Sequence, residues 1–207
     1  MTSLFRDRAE PKRRGWPAAR LLCAWALVAI GATGHAAERA IERETVVAAP
    51  IEAVWQAWTT KAGIESFFAP EAVIDARVGG AFHIHIDPLA APGAKGADDM
   101  RFMALQAPTM LSFDWNAPPF LAEARKQRTF VIVRLADIDG KSTRVALHHT
   151  GWGSGGEWDR SYAYFDRAWT GVLGNLKRRF ETGPTDWSEW LAQLKKMHAA
   201  AAASAPK

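Results

Sequence analysis

The longest regular pattern in the sequence is an amphipathic helical repeat between residues 157 and 181. Apolar side chains recur there every three or four positions, the spacing that places them on one face of an α-helix. The residues of this face are Trp158, Tyr162, Phe165, Trp169, Val172, Leu173, Leu176 and Phe180. At 3.6 residues per turn, the segment predicts a helix of about seven turns. A helix with so wide an aromatic face needs a large apolar surface to pack against.

Segments of alternating apolar and polar residues precede this helix and predict β-strands. The alternation is clearest at Phe82, Ile84 and Ile86, which are separated by polar residues in a period of two. The predicted strands span residues 39–49, 72–78, 82–86, 100–106, 110–116, 129–136 and 143–149. Short helices are predicted after Pro50 and over residues 63–68, and one more amphipathic helix follows Gly183.

The connections between the strands indicate how they pair. Most are short turns, which favour antiparallel pairing and hence an α+β fold over a doubly wound parallel sheet. Two connections are longer. Residues 87–99 are rich in Pro, Gly and Ala and predict a mobile loop, and residues 118–126 predict an insertion with modest helical character.

The first 36 residues have the organisation of an export signal. Basic residues between Arg6 and Arg20 are followed by the apolar run LLCAWALVAI and the small-residue segment GATGHAA. Gly34 and Ala36 fit a small-x-small cleavage site, so we predict cleavage after Ala36. The apolar run is short for a transmembrane helix, which needs about 20 residues; an uncleaved anchor is the alternative. The mature protein is expected in the periplasm or outside the cell, with no membrane span after cleavage.

Removal of this leader changes the charge of the chain. The full sequence has 26 Lys and Arg against 22 Asp and Glu, and residues 1–36 hold six of the basic and two of the acidic residues. The remaining chain has 20 of each and a net charge near zero. No nucleic-acid partner is expected, because such binding depends on clustered cations. The single cysteine, Cys23, leaves with the leader, which excludes thiol catalysis and cysteine-ligated metals.

Several phrases, in order, resemble one known family. They are AAPIEAVWQAWTT, FFAPEAV, RVGGAFHIHI, LSFDW, TRVALHHTGW and LGNLKRRFE, spread over about residues 39–181. They are similar to the activator-of-heat-shock-protein-90-ATPase-like family of the START-like (SRPBCC) superfamily. The resemblance implies a helix-grip fold, a curved antiparallel sheet wrapped around a long C-terminal helix. It leaves function open, since relatives include ligand carriers, ketide cyclases and co-chaperones. We expect a signal peptide over 1–36, a START-like domain over 37–182 and a helical extension over 183–207.

The implied fold places a cavity between the sheet and the long helix. Alternation along the strands and the helical face select the residues expected to line it. The candidates for ligand binding are Phe82, Ile84, Arg101, Phe113, Trp115, His149, Trp152, Tyr162, Phe165 and Trp169. The alternative for each aromatic residue is that it fills the core. Arg101 is expected either to bind an acidic ligand group or to extend its stem along apolar surface, and Trp152 is expected to gate the cavity mouth.

The histidines differ in the face of the strand on which alternation places them. His149 shares the inward phase of its strand, so it is expected either as a polar group or general acid/base in the cavity, or as a core histidine bonded to a backbone carbonyl. His83 and His85 alternate with the inward residues, which predicts a surface pair rather than a metal site.

No catalytic set is visible in the sequence. It contains no G-x-S-x-G, H-E-x-x-H or P-loop pattern, and no catalytic residue, metal or cofactor is predicted. The segment GWGSGG at 151–156 has G-x-G-x-x-G spacing, but it carries no lysine and its strand context is wrong for phosphate binding. The favoured hypothesis is an exported protein that binds a small hydrophobic or amphipathic molecule. One alternative is a cyclase- or hydrolase-like enzyme that uses His149 in the same cavity. Another is a co-chaperone-like module that binds a protein through the helix over 184–198.

Overall fold

The computed structural model describes residues 38–204. The predicted signal peptide and its cleavage site lie outside the described residues. The elements in chain order are β1 (Ile41–Val47), α1 (Ile51–Thr59), α2 (Lys61–Glu65), β2 (Glu71–Ile74), β3 (Phe82–His85), β4 (Gly96–Ala97), β5 (Phe102–Gln106), β6 (Met110–Trp115), α3 (Ala122–Arg125), β7 (Thr129–Asp137), β8 (Thr143–Thr150), α4 (Gly156–Thr182) and α5 (Ser188–Ser204). Within this part of the chain no helix is long and apolar enough to cross a membrane.

The strands form two antiparallel sheets. Five strands pair in the order β1-β8-β7-β6-β5, and three shorter ones pair in the order β2-β3-β4. The two sheets meet where the Phe82 amide donates to the Met100 carbonyl and the Phe102 amide donates to the Gly80 carbonyl, at 2.8 and 3.0 Å. The predicted curved antiparallel sheet is thus built from a large sheet and a smaller one joined at its edge.

One row of paired residues runs across the large sheet and faces inward. Its members, from β1 to β5, are Ile41, His149, Val131, Phe113 and Phe102. None is more than 1% exposed. His149 is the single polar residue in this otherwise apolar row. Phe113 on β6 and His149 on β8 therefore have the inward phase that alternation predicts for them.

Helix α4 packs along this inner face as the sequence predicts. Phe165, Trp169, Leu173 and Leu176 are buried, and the remaining residues of the predicted face are partly buried at its margins. The helix is also held at its side by β1. Arg43 binds the Asp166 carboxylate at 2.5 Å, and the Tyr162 hydroxyl donates to the Ala40 carbonyl at 2.8 Å. A long helix gripped by an antiparallel sheet is the helix-grip arrangement, so the predicted α+β fold is confirmed.

The connection over residues 87–99 has more structure than the sequence indicates. It contains β4, which pairs with β3 and places Gly96 opposite His85. The side chain of Arg125 on α3 also donates to the Gly93 and Gly96 carbonyls at 2.7 and 2.8 Å. Composition alone predicts a loop here, because these tertiary bonds come from a segment almost 30 residues away.

Helix α5 lies against the domain through its indoles and one leucine. The Trp187 indole donates to the Glu65 carbonyl at 2.6 Å, and the Trp190 indole donates to the Ile86 carbonyl at 2.8 Å. His198 lies 2.7 Å from the Asp87 carboxylate, and Leu194 is only 3% exposed. The apolar stripe predicted for this helix therefore packs within the chain.

We predict that this packing stabilises the domain. Leu194→Ala should lower the free energy of unfolding by about 2–3 kcal/mol, because it removes a buried side chain. Met197 lies on the same helix and is 57% exposed, so Met197→Ala should change it by less than about 0.5 kcal/mol. Urea unfolding of both variants makes the comparison. Equal effects would show that α5 does not pack in solution.

Candidate functional site

A cleft of about 370 Å³ opens beside α4, where the end of β6 and the loop after it approach the helix. The lining residues are Phe68, Ile86, Asp87, Ala94, Lys95, Gly96, Ala97, Trp115, Asn116, Ala117, Pro118, Pro119, Phe120, Tyr164, Phe165, Ala168, Trp169 and Val172. The lining is mostly apolar, with a few polar groups. Small-molecule sites have this composition and a volume of about 300–1,000 Å³.

The inner wall of the cleft is aromatic. Trp115 lies at the centre, with ring centroids 5.5 Å from Trp169, 5.9 Å from Phe68 and 6.3 Å from Phe165. Trp115 is stacked on Phe68, tilted against Trp169 and edge-on to Phe165, at distances typical of favourable aromatic contacts. Because β6, α4 and the segment after α2 all contribute rings, the wall is built by the tertiary structure and is rigidly packed from behind.

The opposite wall is held in place by Arg125. Besides the Gly93 and Gly96 carbonyls, its guanidinium binds Asp98 at 3.3 Å and donates to the Ala117 carbonyl. Burial lowers the pKa of Arg125, although the Asp98 carboxylate opposes this shift. One cation thus ties residues 93–98 to the loop that follows β6, and both segments line the cleft.

Two polar atoms of the cleft residues are buried without a partner. Trp115 and Asn116 are each 5% exposed. Within residues 38–204, neither the Trp115 indole nitrogen nor the Asn116 amide oxygen has a hydrogen-bond partner. Leaving such a group unpaired costs about 1–3 kcal/mol, so both atoms are local costs to stability, as are the unpartnered polar atoms of Trp58, Ser161 and Arg179 elsewhere in the described residues.

His149 is the centre of a buried hydrogen-bond chain rather than a free cavity group. The Trp169 indole donates to His149 Nδ1 at 2.8 Å, and His149 Nε2 lies 2.7 Å from Thr129 Oγ1. An indole nitrogen only donates, so Nδ1 must carry the lone pair and Nε2 the proton. The Thr129 hydroxyl accepts this hydrogen bond and donates its own to the Trp115 carbonyl at 3.3 Å.

This arrangement keeps His149 neutral. The side chain is fully buried, and desolvation, with a smaller contribution from His148, lowers its pKa to about 3. Both ring nitrogens already have partners, so neither is available to take up or deliver a proton on a substrate. The geometry favours the alternative of a core histidine, with the bonds made to side chains instead of the expected backbone carbonyl.

Trp152 packs against His149 and is not part of the cleft wall. Its indole donates to the His149 carbonyl at 2.9 Å, and the two ring centroids are 4.2 Å apart. It also packs on Tyr162 and Phe165. Trp152 and Tyr162 are not among the cleft-lining residues, so Trp152 does not lie where the predicted gate requires it.

The predicted ligand-binding residues divide into three groups. Trp115, Phe165 and Trp169 line the cleft. Phe82, Ile84 and Phe113 are fully buried in the core behind it, where they match the core-filling alternative. The remaining candidates are Arg101, His149, Trp152 and Tyr162, none of which lines the cleft.

The expectation that Arg101 faces the cavity is wrong. Phe102 takes the inward position at the start of β5 and is fully buried, so Arg101 and Met103 on either side point outward. The exposed Arg101 guanidinium donates to the Gly79 carbonyl at 3.0 Å. Alternation places Ile86 in the inward phase of Phe82 and Ile84, but it follows the end of β3, is 37% exposed and lines the cleft.

The predicted surface pair of histidines is also corrected. His85 is 9% exposed, and its Nδ1 lies 2.6 Å from the Glu71 carboxylate. The cause is that β3 is the central strand of the small sheet, so β2 and the unpredicted β4 flank His85. This hydrogen bond is the main reason that the pKa of Glu71 is lowered. Within the described residues no group of three or more His, Cys, Asp or Glu is arranged to hold a metal ion.

Sequence reasoning missed several cleft residues. Asn116, Phe120 and Tyr164 lie in a loop or outside the predicted helical face, so no periodicity marks them. Phe120 is 71% exposed and packs edge-on against Tyr164 at 5.9 Å between centroids. Burial raises the pKa of the Tyr164 phenol. The signals in the sequence that point to this loop are the clustering of Asn, Pro and Phe at 116–120 and the predicted insertion over 118–126.

A second groove lies on the sheet, with a volume of about 490 Å³. Charged residues dominate its lining, which consists of Glu42, Arg43, Glu44, Ile132, Arg134, Ala146, Leu147 and His148. Its lining contains no Phe, Trp or Tyr, so it lacks the aromatic wall of the α4 cleft. The α4 cleft is therefore the better candidate for a small-molecule site.

Most of the chain matches the sequence model of a known protein family. Residues 48–181 match the model of the Activator of Hsp90 ATPase homolog 1-like protein family, and the chain belongs to this family. No curated protein matches the sequence significantly.

Solved structures share the fold at low sequence identity. A protein of Mesorhizobium loti is 20% identical with a TM-score of 0.58, over 71% of this chain and 100% of that one. The Aha1 dimer of Colwellia psychrerythraea is 18% identical with a TM-score of 0.55, over 70% and 98%. An HSP90 activator of Plasmodium falciparum is 17% identical with a TM-score of 0.53, over 70% and 97%. Likenesses at this identity show the fold alone.

We predict that the Trp169–His149 hydrogen bond is a major stabilising contact. Trp169→Phe should lower the free energy of unfolding by about 1–3 kcal/mol more than Trp58→Phe, because it leaves His149 Nδ1 unpaired. Trp58 is the matched control, since it is equally buried but its indole nitrogen has no partner within the described residues. Chemical denaturation of both variants gives the difference, and equal losses would contradict the bond.

A second prediction concerns acid stability. Histidine in the unfolded chain has a pKa near 6.5, whereas the pKa of His149 in the folded chain is about 3. Between these two pH values His149 is protonated in the unfolded chain and neutral in the folded chain. Above about pH 6.5 His149 is neutral in both states and does not make stability depend on pH. As pH falls below this value the free energy of unfolding decreases, by about 2 kcal/mol at about pH 5. His149→Gln should flatten this slope. The half-exposed neighbour provides the control: His148→Gln should keep the wild-type slope.

Proposed function

We propose that this protein is exported and binds a small hydrophobic or amphipathic molecule in the cleft beside α4. The observation that carries the proposal is the composition of the cleft wall. An aromatic surface from Phe68, Trp115, Phe165 and Trp169 forms one wall of the cleft, and Asp87, Lys95, Asn116 and Tyr164 add polar side chains to its lining. A small-molecule site needs such an apolar surface and a few polar groups that fix orientation.

The enzyme alternative has less support. It relied on His149 as a general acid or base in the cavity, and both nitrogens of this residue are engaged by Trp169 and Thr129. The ionisable side chains that line the cleft are Asp87, Lys95 and Tyr164. Asp87 is bound to His198, and Lys95 lies 3.9 Å from Glu71. This set lacks a nucleophile with an adjacent base.

The protein-binding alternative also has less support. The stripe of α5 that would meet a partner is occupied by contacts to Glu65, Ile86 and Asp87 within the same chain. Two structural neighbours are described as Aha1 and as an HSP90 activator. We do not extend that role to this chain, because an exported protein would not meet a cytosolic chaperone driven by ATP.

One measurement addresses both export and binding. Native mass spectrometry of protein exported by its own leader gives the start of the mature chain and the mass of any bound molecule. A chain that begins at Ala37 with an organic adduct, identified after solvent extraction, is the expected result. A chain that keeps residues 1–36 would contradict cleavage, and repeated recovery of empty protein would weigh against a tightly held ligand.

We predict that filling the cleft abolishes binding. Ala168 lies on α4 and lines the cleft, so the ring in Ala168→Trp should occupy the ligand volume and remove the adduct. Ala163→Trp places the same ring on the exposed side of α4 and should retain it. Thermal melting followed by circular dichroism verifies that both variants fold. If the adduct survives Ala168→Trp, the ligand lies elsewhere.

A further inference from the structure

The acidic side chains near the start of α4 lie on the side of the helix that faces β1 and the residues before it. Arg39 binds the Asp159 carboxylate and Arg43 binds the Asp166 carboxylate, each at 2.5 Å. Each of these carboxylates therefore has a cation beside it. The negative charge on this side of α4 is compensated within the chain.

Arginines lie on the other side of α4, beside the cleft. Arg160 is four residues before Tyr164 and Arg167 is three residues after it, so the three side chains share one stripe of the helix. Tyr164 lines the cleft, and both arginines are exposed. Arg160 reaches Glu157 at 3.5 Å, and Arg167 takes part in no ion pair within the described residues. This stripe therefore presents positive charge to solvent.

Two exposed aromatic rings accompany these charges. Phe120 is 71% exposed and packs edge-on against Tyr164, which is 38% exposed. Both rings line the cleft, as does Ile86, which is 37% exposed. Exposed apolar side chains that cluster in this way mark an interaction surface, whereas scattered ones do not. We call Phe120, Arg160, Tyr164 and Arg167 the mouth surface.

The acidic side chains around the cleft are each held by a partner. Asp87 lies 2.7 Å from His198, and Glu123 lies 2.7 Å from Lys126. The Glu157 carboxylate accepts hydrogen bonds from two amides of α3 at 2.8 and 3.0 Å. These bonds leave the negative charges here compensated, so the mouth surface combines exposed rings with exposed positive charge.

We propose that the mouth surface docks on a lipid membrane that carries anionic headgroups. Interfacial sites combine aromatic side chains, which enter the headgroup region, with arginines or lysines that attract anionic lipids. The mouth surface has both, and its rings stand at the opening of the cleft. The hydrophobic molecule would then pass between the bilayer and the cleft without crossing water. This last step rests on the proposed function, whereas docking itself does not need an occupied cleft.

The exposed rings distinguish a lipid surface from other acidic partners. Nucleic-acid binding depends on many cations that neutralise successive phosphates, and this surface offers two arginines. A bilayer offers Phe120 an apolar environment directly beside the phosphates that the arginines bind. Removal of an exposed phenyl ring from water is favourable, so the ring adds affinity that a soluble polyanion does not supply.

The test measures co-sedimentation of the purified mature chain with vesicles. One set consists of phosphatidylcholine, and the other is an equal mixture of phosphatidylcholine and phosphatidylglycerol. We expect binding to the anionic vesicles and little binding to the neutral ones. Added salt should weaken the binding, because exposed charges are screened. Soluble polyglutamate serves as an anionic probe without an apolar phase.

Variants assign the binding to the mouth surface. The double variant Arg160→Glu/Arg167→Glu should bind the anionic vesicles at least about 30-fold more weakly, since each arginine near such a surface contributes about fivefold. The matched control is Arg134→Glu/Arg144→Glu, which changes the net charge equally on the exposed outer face of the large sheet. The control should retain binding. Circular dichroism melting verifies that both variants fold.

The ring has a separate test. Phe120→Ala should weaken binding to the anionic vesicles by about tenfold, because the bilayer no longer takes up an apolar side chain. The same substitution should leave retention of polyglutamate unchanged. Equal affinities of wild type and Phe120→Ala for the vesicles, with tight binding of polyglutamate, would overturn the lipid surface and indicate an acidic macromolecule.

The remaining outcomes separate the inference from the proposed function. Failure of the wild-type chain to bind anionic vesicles would overturn membrane docking, even where native mass spectrometry shows a ligand adduct. Equal losses in the two charge variants would overturn it as well, because they would show a general effect of net charge. Vesicle binding by the mouth surface without any adduct would support docking and count against the proposed ligand.

Discussion

A chain of three buried hydrogen bonds ties the long helix to the sheet. It runs from the Trp169 indole on α4 to His149 on β8, then to Thr129 on β7 and to the carbonyl of Trp115 on β6. Apolar packing favours burial but is weakly directional, so it does not by itself fix the rotation of a helix over a sheet. This polar chain does, because each bond has a required donor, acceptor and distance in a dry interior. It also fixes the tautomer and charge of His149, the only polar side chain in the inward row of the sheet.

The candidate site is a cleft between α4, the end of β6, the loop after β6 and the segment around β4. Behind Trp115 the rings of Phe82, Phe113 and Phe102 complete the core. In front of it no side chain of the described chain fills the space between α4 and the loop after β6. Arg125 keeps that space open by bonding both the 93–98 segment and the Ala117 carbonyl. The same tryptophan thus contributes to the core with one face and to the cleft wall with the other.

Fold and function are separable in this molecule. Residues 48–181 carry the family pattern, and the row of inward residues and the α4 face are what that pattern specifies. The features that support the ligand proposal are of another kind. They are the loop after β6, the wall around β4 and the position of α5 against Ile86 and Asp87. A shared fold leaves such details free to vary, which is why family membership alone does not identify a ligand.

The sequence by itself determined the elements whose signal is periodic. The three-to-four spacing in residues 157–181 predicted α4, and alternation predicted the strands and the inward phase of His149, because burial on one face repeats with the backbone geometry. The tertiary structure decided what periodicity does not encode. Arg101 points outward because Phe102 takes the inward position; His85 is buried because an unpredicted strand flanks it; and Asn116 reaches the cleft from a loop. The tertiary structure also decided the tautomer of His149. Trp169 and Thr129 are far apart in sequence, and only their contacts with His149 fix which ring nitrogen carries the proton. Periodicity reports which face of an element is buried, whereas a site depends on which elements meet.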